Sequence, residues 1–345
     1  MRIVVAMSGG VDSSVVAGLL HEAGHEVIGI TLHLYDHGAA AGRKRGCCGG
    51  QDINDARNVA DRLGIAHYVI DAEAEFHAQV IGDFVGSYAE GRTPVPCVRC
   101  NQHLKFGDLL GLARDLGAEA LATGHYVRRE DGASGPELHV AADAVRDQSW
   151  FLFATTRDQL AFSRFPLGDM PDKGAVRAVA TRLDLPVAQK PDSQDICFVP
   201  SGSYADLLAR LRPDAVQPGE IVGLDGAVLG RHQGIGRYTV GQAKRLGDVN
   251  GQVVTRIDAA RRRIEVGPRN TGTRHVRLTE TNWLIAVPAE PIRTQVKLRA
   301  RAEPQPAVVD MVAGTVILDD PSLAAPGQAC VAYDGTRVLG GGFIV

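Results

Sequence analysis

The sequence predicts an α/β fold: a doubly wound parallel sheet, followed by a small central domain and a C-terminal antiparallel β-barrel. Three observations predict it. Apolar strand runs alternate with helical segments as far as about residue 200. A Ser-Gly-Gly turn at residue 8 joins the first strand to the first helix. From residue 217 the chain changes to short β-runs punctuated by Gly and Asp. A length of 345 residues has room for two or three domains at roughly 150 residues each. The expected division is 1–201, 202–270 and 271–345.

Residues 2–7 form an apolar run of buried-strand type, and residues 15–20 continue as an apolar helix ending near Gly24. A second strand is expected over 25–34. A helix over 52–63 places Ile53, Ala56, Val59, Ala60 and Leu63 on one face, and Gly64 stops it. The pattern continues with a strand at 67–70, helices at 76–88 and 106–116, and a strand at 119–123 that ends in Gly124-His125. Ligands on such sheets bind at the carboxyl ends of strands, where the residue 8 turn and Gly124-His125 both fall. Further on, 204–211 reads as a helix. Alternating segments at 295–301, 307–312, 314–318, 328–333 and 338–344, with a hairpin turn at Asp334-Gly335, read as the barrel.

The chain is 45% hydrophobic and 22% charged, with a formal net charge of −3. No global basic field marks a nucleic-acid partner, so any RNA contact must be a local patch. No apolar run is long enough for a signal segment or a membrane span. A cytoplasmic protein without membrane contact is expected, its thiols reduced. The six cysteines, Cys47, Cys48, Cys97, Cys100, Cys197 and Cys330, are then metal ligands, reactive thiols or core filler.

The firmest motif is Ser8-Gly9-Gly10-Val11-Asp12-Ser13-Ser14. Two glycines let backbone N–H groups approach phosphate oxygens, and the following helix aims its positive end at them. The serines add hydroxyl donors, while Asp12 either holds Mg²⁺ or orients the loop. The Gly-Lys-Ser/Thr ending of a Walker A loop is missing, so γ-phosphate transfer is not indicated. The motif resembles the PP-loop of adenine-nucleotide α-hydrolase-like enzymes, which split ATP between its α- and β-phosphates.

Two further constellations carry thiols: Thr93-Pro94-Val95-Pro96-Cys97-Val98-Arg99-Cys100-Asn101, and Lys190-Pro191-Asp192-Ser193-Gln194-Asp195-Ile196-Cys197-Phe198. Paired thiols in an adenylating domain suit sulfur transfer. A free thiol needs nearby cations to ionise at neutral pH, and Arg99, Lys105 and Lys190 are the candidates.

These motifs resemble, in order and over the whole chain, the tRNA-specific 2-thiouridylase (MnmA/TrmU) family. So do Ala122-Thr123-Gly124-His125-Tyr126, Arg146-Asp147-Gln148-Ser149-Trp150, Tyr238-Thr239-Val240-Gly241-Gln242 and Pro326-Gly327-Gln328. The resemblance implies ATP binding by Ala6, Met7, Ser8, Gly9, Gly10, Val11, Asp12 and Ser13, with Leu32 and Gly124 beside the nucleoside. It implies adenylation of the C2 oxygen of wobble uridine 34 in tRNAs for Lys, Glu and Gln. Cys197 would carry a persulfide from a cysteine desulfurase or sulfur relay protein, and Cys100 would be the nucleophile. Val95, Pro96 and Cys97 would face the flipped base, and His125, Arg146, Asp147, Gln148, Arg299 and Gln328 would contact tRNA. Three departures stand out. Cys97 replaces an Asp found in some members, Arg299-Ala300 replaces Arg-Tyr, and Val95 replaces a common Asn.

Other readings stand beside this one. Cys97 and Cys100 read as half of a zinc site completed by Cys47-Cys48. Alternatively, Cys97, Cys100 and Cys197 hold a [4Fe–4S] cluster with one iron open to sulfide. His125 and His232 read equally as structural residues, and Arg261 to Arg263 as an exposed turn. In other function classes, a PP-loop small-molecule ligase and a non-catalytic RNA-binding module remain open.

Overall fold

The computed structural model describes residues 1–35, 48–192, 196–199, 204–247 and 251–345. The Gly-, Ala- and Arg/Lys-rich stretch of residues 37–50, read from the sequence as a basic loop, lies mostly outside these, Cys47 included. The chain divides into two units, one of residues 1–79, 98–200 and 336–338, the other of 80–97, 201–335 and 339–345.

The first unit is built on a five-stranded sheet in the order β3-β2-β1-β4-β7. Its strands are β1 (Arg2–Ala6), β2 (Glu26–His33), β3 (Ala66–Asp71), β4 (Ala120–Ala122) and β7 (Ser163–Arg164). All neighbouring pairs are parallel. The chain steps from β1 outward to β3, then returns to β4 on the other side of β1. That reversal opens a crevice at the carboxyl ends of β1 and β4. Ile3, Val5, Ala120 and Ala122 point to one face. There they pack with Val15 and Val16 of α1 (Val11–Glu22), Ala56 and Val59 of α2 (Cys48–Leu63), and Val176 and Ala180 of α3 (Lys173–Arg182). Val4, Ile30 and Leu121, one residue out of phase, are buried on the other.

Two features of this unit differ from the sequence expectation. The helices expected over 76–88 and 106–116 are both interrupted by wider π-type winding, over His77–Ile81 and Cys100–Leu109. A hairpin of β5 (Val127–Gly132) and β6 (Gly135–Val140), absent from the expectation, follows Tyr126.

In the second unit, β8 (Gly219–Gly223), β9 (Val228–His232), β10 (Val253–Asp258) and β11 (Arg263–Gly267) form a sheet ordered β10-β11-β8-β9. His232 is buried and structural here. Its Nδ1 accepts from the Gly234 N–H at 3.0 Å and its Nε2 donates to the Arg262 carbonyl at 3.0 Å. The second element is the barrel: β12 (Thr273–Trp283), β13 (Ile292–Lys297), β14 (Gln305–Asp310), β15 (Thr315–Ser322), β16 (Ala329–Asp334) and β17 (Arg337–Ile344). Pairing of β12 with both β15 and β17 closes it, which adds β12 to the strands read from sequence. Cys330 lies in the barrel core, where burial pushes its thiol up to about 12.

Closure depends on Gly340-Gly341-Gly342. Gly340 has φ +133°, and a Cβ there would sit 2.2 Å from the Asn282 carbonyl oxygen. Gly340→Ala is expected to lower stability by roughly 1–3 kcal/mol, read as a lower denaturation midpoint in urea. An unchanged midpoint would show that the β12–β17 seam tolerates a side chain.

Candidate active site

The crevice between β1 and β4 is shaped by backbone rather than by side chains. Gly9 has φ +73°, and a Cβ on it would lie 2.1 Å from the carbonyl oxygen of Asp52 in α2. Only glycine satisfies both conditions. Gly124, following β4, also lies close against α1, though less tightly: a Cβ there would be 3.0 Å from the Ser13 nitrogen. Gly10 caps α1 without a side-chain hydrogen bond, so the first-turn N–H groups of α1 are left for a ligand. Ser13 Oγ accepts from the Ser8 N–H at 3.1 Å and donates to the Gly10 carbonyl at 3.2 Å. Ser8 itself is exposed. Ala6 ends β1, the Met7 N–H donates to the Ile30 carbonyl at 2.8 Å, and Leu32 lies near the carboxyl end of β2. The loop is a rigid anion cradle.

Asp12 does not stand free in this cradle. Its two carboxylate oxygens accept from Lys173 Nζ at 2.7 and 2.8 Å, and Oδ1 also accepts from the Tyr126 hydroxyl at 2.7 Å. Lys173 is 9% exposed and also pairs with Asp192 at 2.8 Å. Asp192 is reached by Arg146 at 2.9 Å and by Arg177 at 3.6 Å. Burial disfavours the Asp192 charge, but Lys173 and Arg146 outweigh it and hold the carboxyl below its ordinary value. Burial and the Asp12 carboxylate together keep the Tyr126 hydroxyl protonated. Among the described residues no three His, Cys, Asp or Glu side chains converge on a metal-sized site.

Asp147 and Gln148 shape the turn beside Tyr126. Asp147 accepts from the Ala141 and Ser149 N–H groups, each at 3.1 Å, and from the Ser149 hydroxyl at 2.7 Å. Gln148 Oε1 accepts from the Tyr126 N–H at 2.9 Å. His125 hydrogen-bonds Thr123 Oγ1 at 2.7 Å with Phe106 and Phe165 around its ring. Burial, with the Lys105 charge beside it, pushes its pKa well below the ordinary value and keeps it neutral.

Two thiols belong to this same unit. Cys100 begins the π-wound segment and is buried. Burial pushes its thiol upward while the Lys105 ammonium, hydrogen-bonded to Asn101 Oδ1 at 2.9 Å, pulls the other way. Cys197 is exposed and shares a hydrogen bond with the Tyr35 hydroxyl, which Cys100 also influences electrostatically. Of the three cations considered for the thiols, Lys105 acts on Cys100. Lys190 is instead held by the Gly9 carbonyl at 2.9 Å, Asp52 at 2.6 Å and Asp55 at 2.5 Å. Arg99 donates to Gln102 Oε1 at 3.2 Å. Cys97, Cys100 and Cys197 do not form a three-ligand set among the described residues. A [4Fe–4S] cluster does not fit the donors as arranged, and no step is routed through one. Cys47, needed for the zinc reading, lies outside the described residues.

The remaining candidates lie in the second unit. Val95 and Pro96 are buried, and Cys97 beside them is exposed. Arg299 donates to the Val240 carbonyl at 2.9 Å, and Gln328 Nε2 to the Thr93 carbonyl at 3.2 Å. Sequence reasoning missed Tyr35, Tyr126, Lys173 and Asp192 as site residues. Tyr126 and Asp192 lay inside motifs that it quoted, whereas Lys173 and Tyr35 carried no local signal.

Three family descriptions match successive stretches of the chain. These are a tRNA methyl transferase HUP domain over 1–201, a tRNA methyl transferase PRC-barrel domain over 206–268, and an aminomethyltransferase beta-barrel domain over 273–344. Similarity to individual proteins runs end to end. The tRNA-specific 2-thiouridylase MnmA of Acidiphilium cryptum is 79% identical over all of both chains. The protein of the same name from Gluconobacter oxydans is 61% identical over 100% of this chain and 99% of its own. That of Rhodospirillum centenum is 56% identical over 100% and 91%. The chain belongs to the tRNA-specific 2-thiouridylase family. Within this 2-thiouridylase, the switch-point crevice and the paired thiols occupy one folding unit.

Three outcomes follow for the crevice. Gly9→Ala is expected to weaken ATP binding at least about tenfold, because a ~2 kcal/mol strain must be relieved by moving the loop; isothermal titration checks this. Lys173→Met leaves Asp12 and Asp192 without their shared cation and is expected to cost roughly 2–4 kcal/mol. The Asp192 carboxyl is depressed in the folded state, so its contribution is complete at neutral pH. It is lost as pH falls from about 4 through the depressed value. Urea midpoints between pH 7 and 3 should fall less steeply in Asp192→Asn than in the native protein; parallel slopes would contradict the assignment.

Proposed function

We propose that this chain is an ATP-dependent tRNA-uridine 2-sulfurtransferase, acting in the cytoplasm on the wobble uridine 34 of tRNAs for Lys, Glu and Gln. One observation carries the reading. An anion cradle at a sheet switch point and two cysteines around one tyrosine occupy a single folding unit. ATP, arriving with Mg²⁺, binds along Ala6, Met7, Ser8, Gly9, Gly10, Val11, Asp12 and Ser13, with its nucleoside against Leu32 and Gly124.

The C2 oxygen of the uridine attacks the α-phosphorus and pyrophosphate departs. Charge on the departing phosphates falls on the α1 N–H groups and on the exposed Ser8 hydroxyl, with Ser13 fixing the loop from within. Cys197 carries a persulfide taken from a cysteine desulfurase or sulfur relay protein. Its terminal sulfur attacks C2, and AMP leaves with the former C2 oxygen. The Cys100 thiolate then attacks Sγ of Cys197. The Cys197 S–S bond breaks, a Cys100–Cys197 disulfide forms, and the electron pair leaves on the sulfur at C2. A dithiol reductant restores both thiols.

For the RNA we assign Cys97 to the flipped base, with the buried Val95 and Pro96 fixing its position, and Arg146, Arg299 and Gln328 to direct contacts. Asp147, Gln148 and the half-buried His125 serve by shaping the turn. The corresponding functional division is 1–201, 202–270 and 271–345, supported by the three separate family matches.

The test uses purified protein, ATP, tRNA and a persulfide donor. Cys100→Ser and Cys197→Ser are each expected to lose 2-thiolation by more than about a hundredfold while still releasing pyrophosphate in a tRNA-dependent way. Native thiolation in either variant, or pyrophosphate release indifferent to tRNA, would overturn the reading.

A further inference from the structure

Tyr35 has no part in the reaction as derived so far, yet Cys197 and Cys100 both act on its hydroxyl. It follows β2 by two residues, at the carboxyl end of the sheet. Its ring lies 5.8 Å from that of Phe76, and the Phe76 ring is 5.6 Å from that of Phe198, edge to face. Phe76 is fully buried. It therefore forms a fixed post against which Tyr35 and the Cys197-Phe198 turn both rest. The Tyr35 hydroxyl is hydrogen-bonded to Cys197.

We propose that Tyr35 is a positioning residue for the sulfur chemistry, its hydroxyl donating to Sγ of Cys197 so that this exposed sulfur is fixed in its nucleophilic form, ready to take sulfur from the donor. A hydroxyl donor binds a thiolate more strongly than a thiol, because the charged sulfur is the better acceptor. The ionisable groups acting on Tyr35 are Cys197, Asp52 and Cys100. Asp52 is paired with Lys190 at 2.6 Å, and the Tyr35 hydroxyl bonds Cys197. Burial and these neighbours push the hydroxyl pKa upward, so the tyrosine keeps the proton it donates. The consequence for thiolation rests on Cys197 being the sulfur carrier; the contact itself does not.

The experiment measures iodoacetamide alkylation of individual cysteines in the full-length protein by peptide mass spectrometry from pH 6 to 10. Tyr35→Phe keeps the ring against Phe76 and removes only the hydroxyl. Cys197 alkylation at pH 7 is expected to slow roughly three- to tenfold, the equivalent of a half to a whole pH unit, with its profile displaced to higher pH. Cys97 should be unaffected. Superimposable Cys197 profiles, or equal changes at Cys97, would overturn the proposal. In the thiolation assay Tyr35→Phe should lower kcat by a similar factor at unchanged KM for ATP. Native thiolation by Cys197→Ser would refute the sulfur-carrier role alone, leaving the alkylation result to decide the contact.

Discussion

The catalytic face is organised by how closely three backbone segments approach at the start of α1. Gly9 touches the Asp52 carbonyl of α2 on one side, and Gly124 touches the Asp12-Ser13 backbone on the other. A side chain at Gly9 would force α2 away from the loop, and one at Gly124 would press on the start of α1. With the gaps closed, the first-turn N–H groups of α1 face a crevice bounded by close backbone contacts. Such donors need little reorganisation when charge builds on a departing phosphate. Everything else in the unit adds charge or sulfur to this frame.

The charges follow from it. Asp12 and Asp192 bring two negative groups to the crevice wall, and Lys173, Arg146 and Arg177 bring three positive ones. Asp143, 4.0 Å from Arg146, brings a third carboxylate, so the set balances, and an incoming phosphate meets paired cations in a partly dry environment where each contact counts for more than in water. Lys173 is central because it touches both Asp12 and Asp192. It thereby links the loop proposed to hold ATP with Asp192, five residues before Cys197 in the sequence.

Much of this was legible in the sequence because the signals are local. A strand, two glycines and a helix within the first twenty residues announce the cradle, and strand-helix alternation gives the parallel sheet. The barrel was legible from alternation too, except for β12, whose run Thr273–Trp283 is largely polar and exposed. The π winding at Cys100–Leu109 left no trace because it changes hydrogen-bond register without changing composition. The ion network was invisible for a different reason. Lys173 lies 161 residues from Asp12, and nothing in the spacing of either residue announces the other. Lys190 shows the opposite error: it lies close to Cys197 in sequence, yet its ammonium is committed to Asp52, Asp55 and Gly9.

The unequal settings of the two thiols explain why the proposed reaction needs both. A sulfur donor that is itself a protein must reach its target sulfur from outside, and Cys197 is exposed while Cys100 is buried. Burial that pushes the Cys100 thiol upward keeps it protonated and unreactive toward chance oxidants. Lys105 counters that effect only in part, so the Cys100 thiolate remains a minor species until something nearby favours it. A persulfide on Cys197 is a specific electrophile for that minority, presented within the same unit and needing no diffusional encounter. The order of events then follows from accessibility: the outer thiol collects sulfur first, and the inner one acts only after it has been delivered.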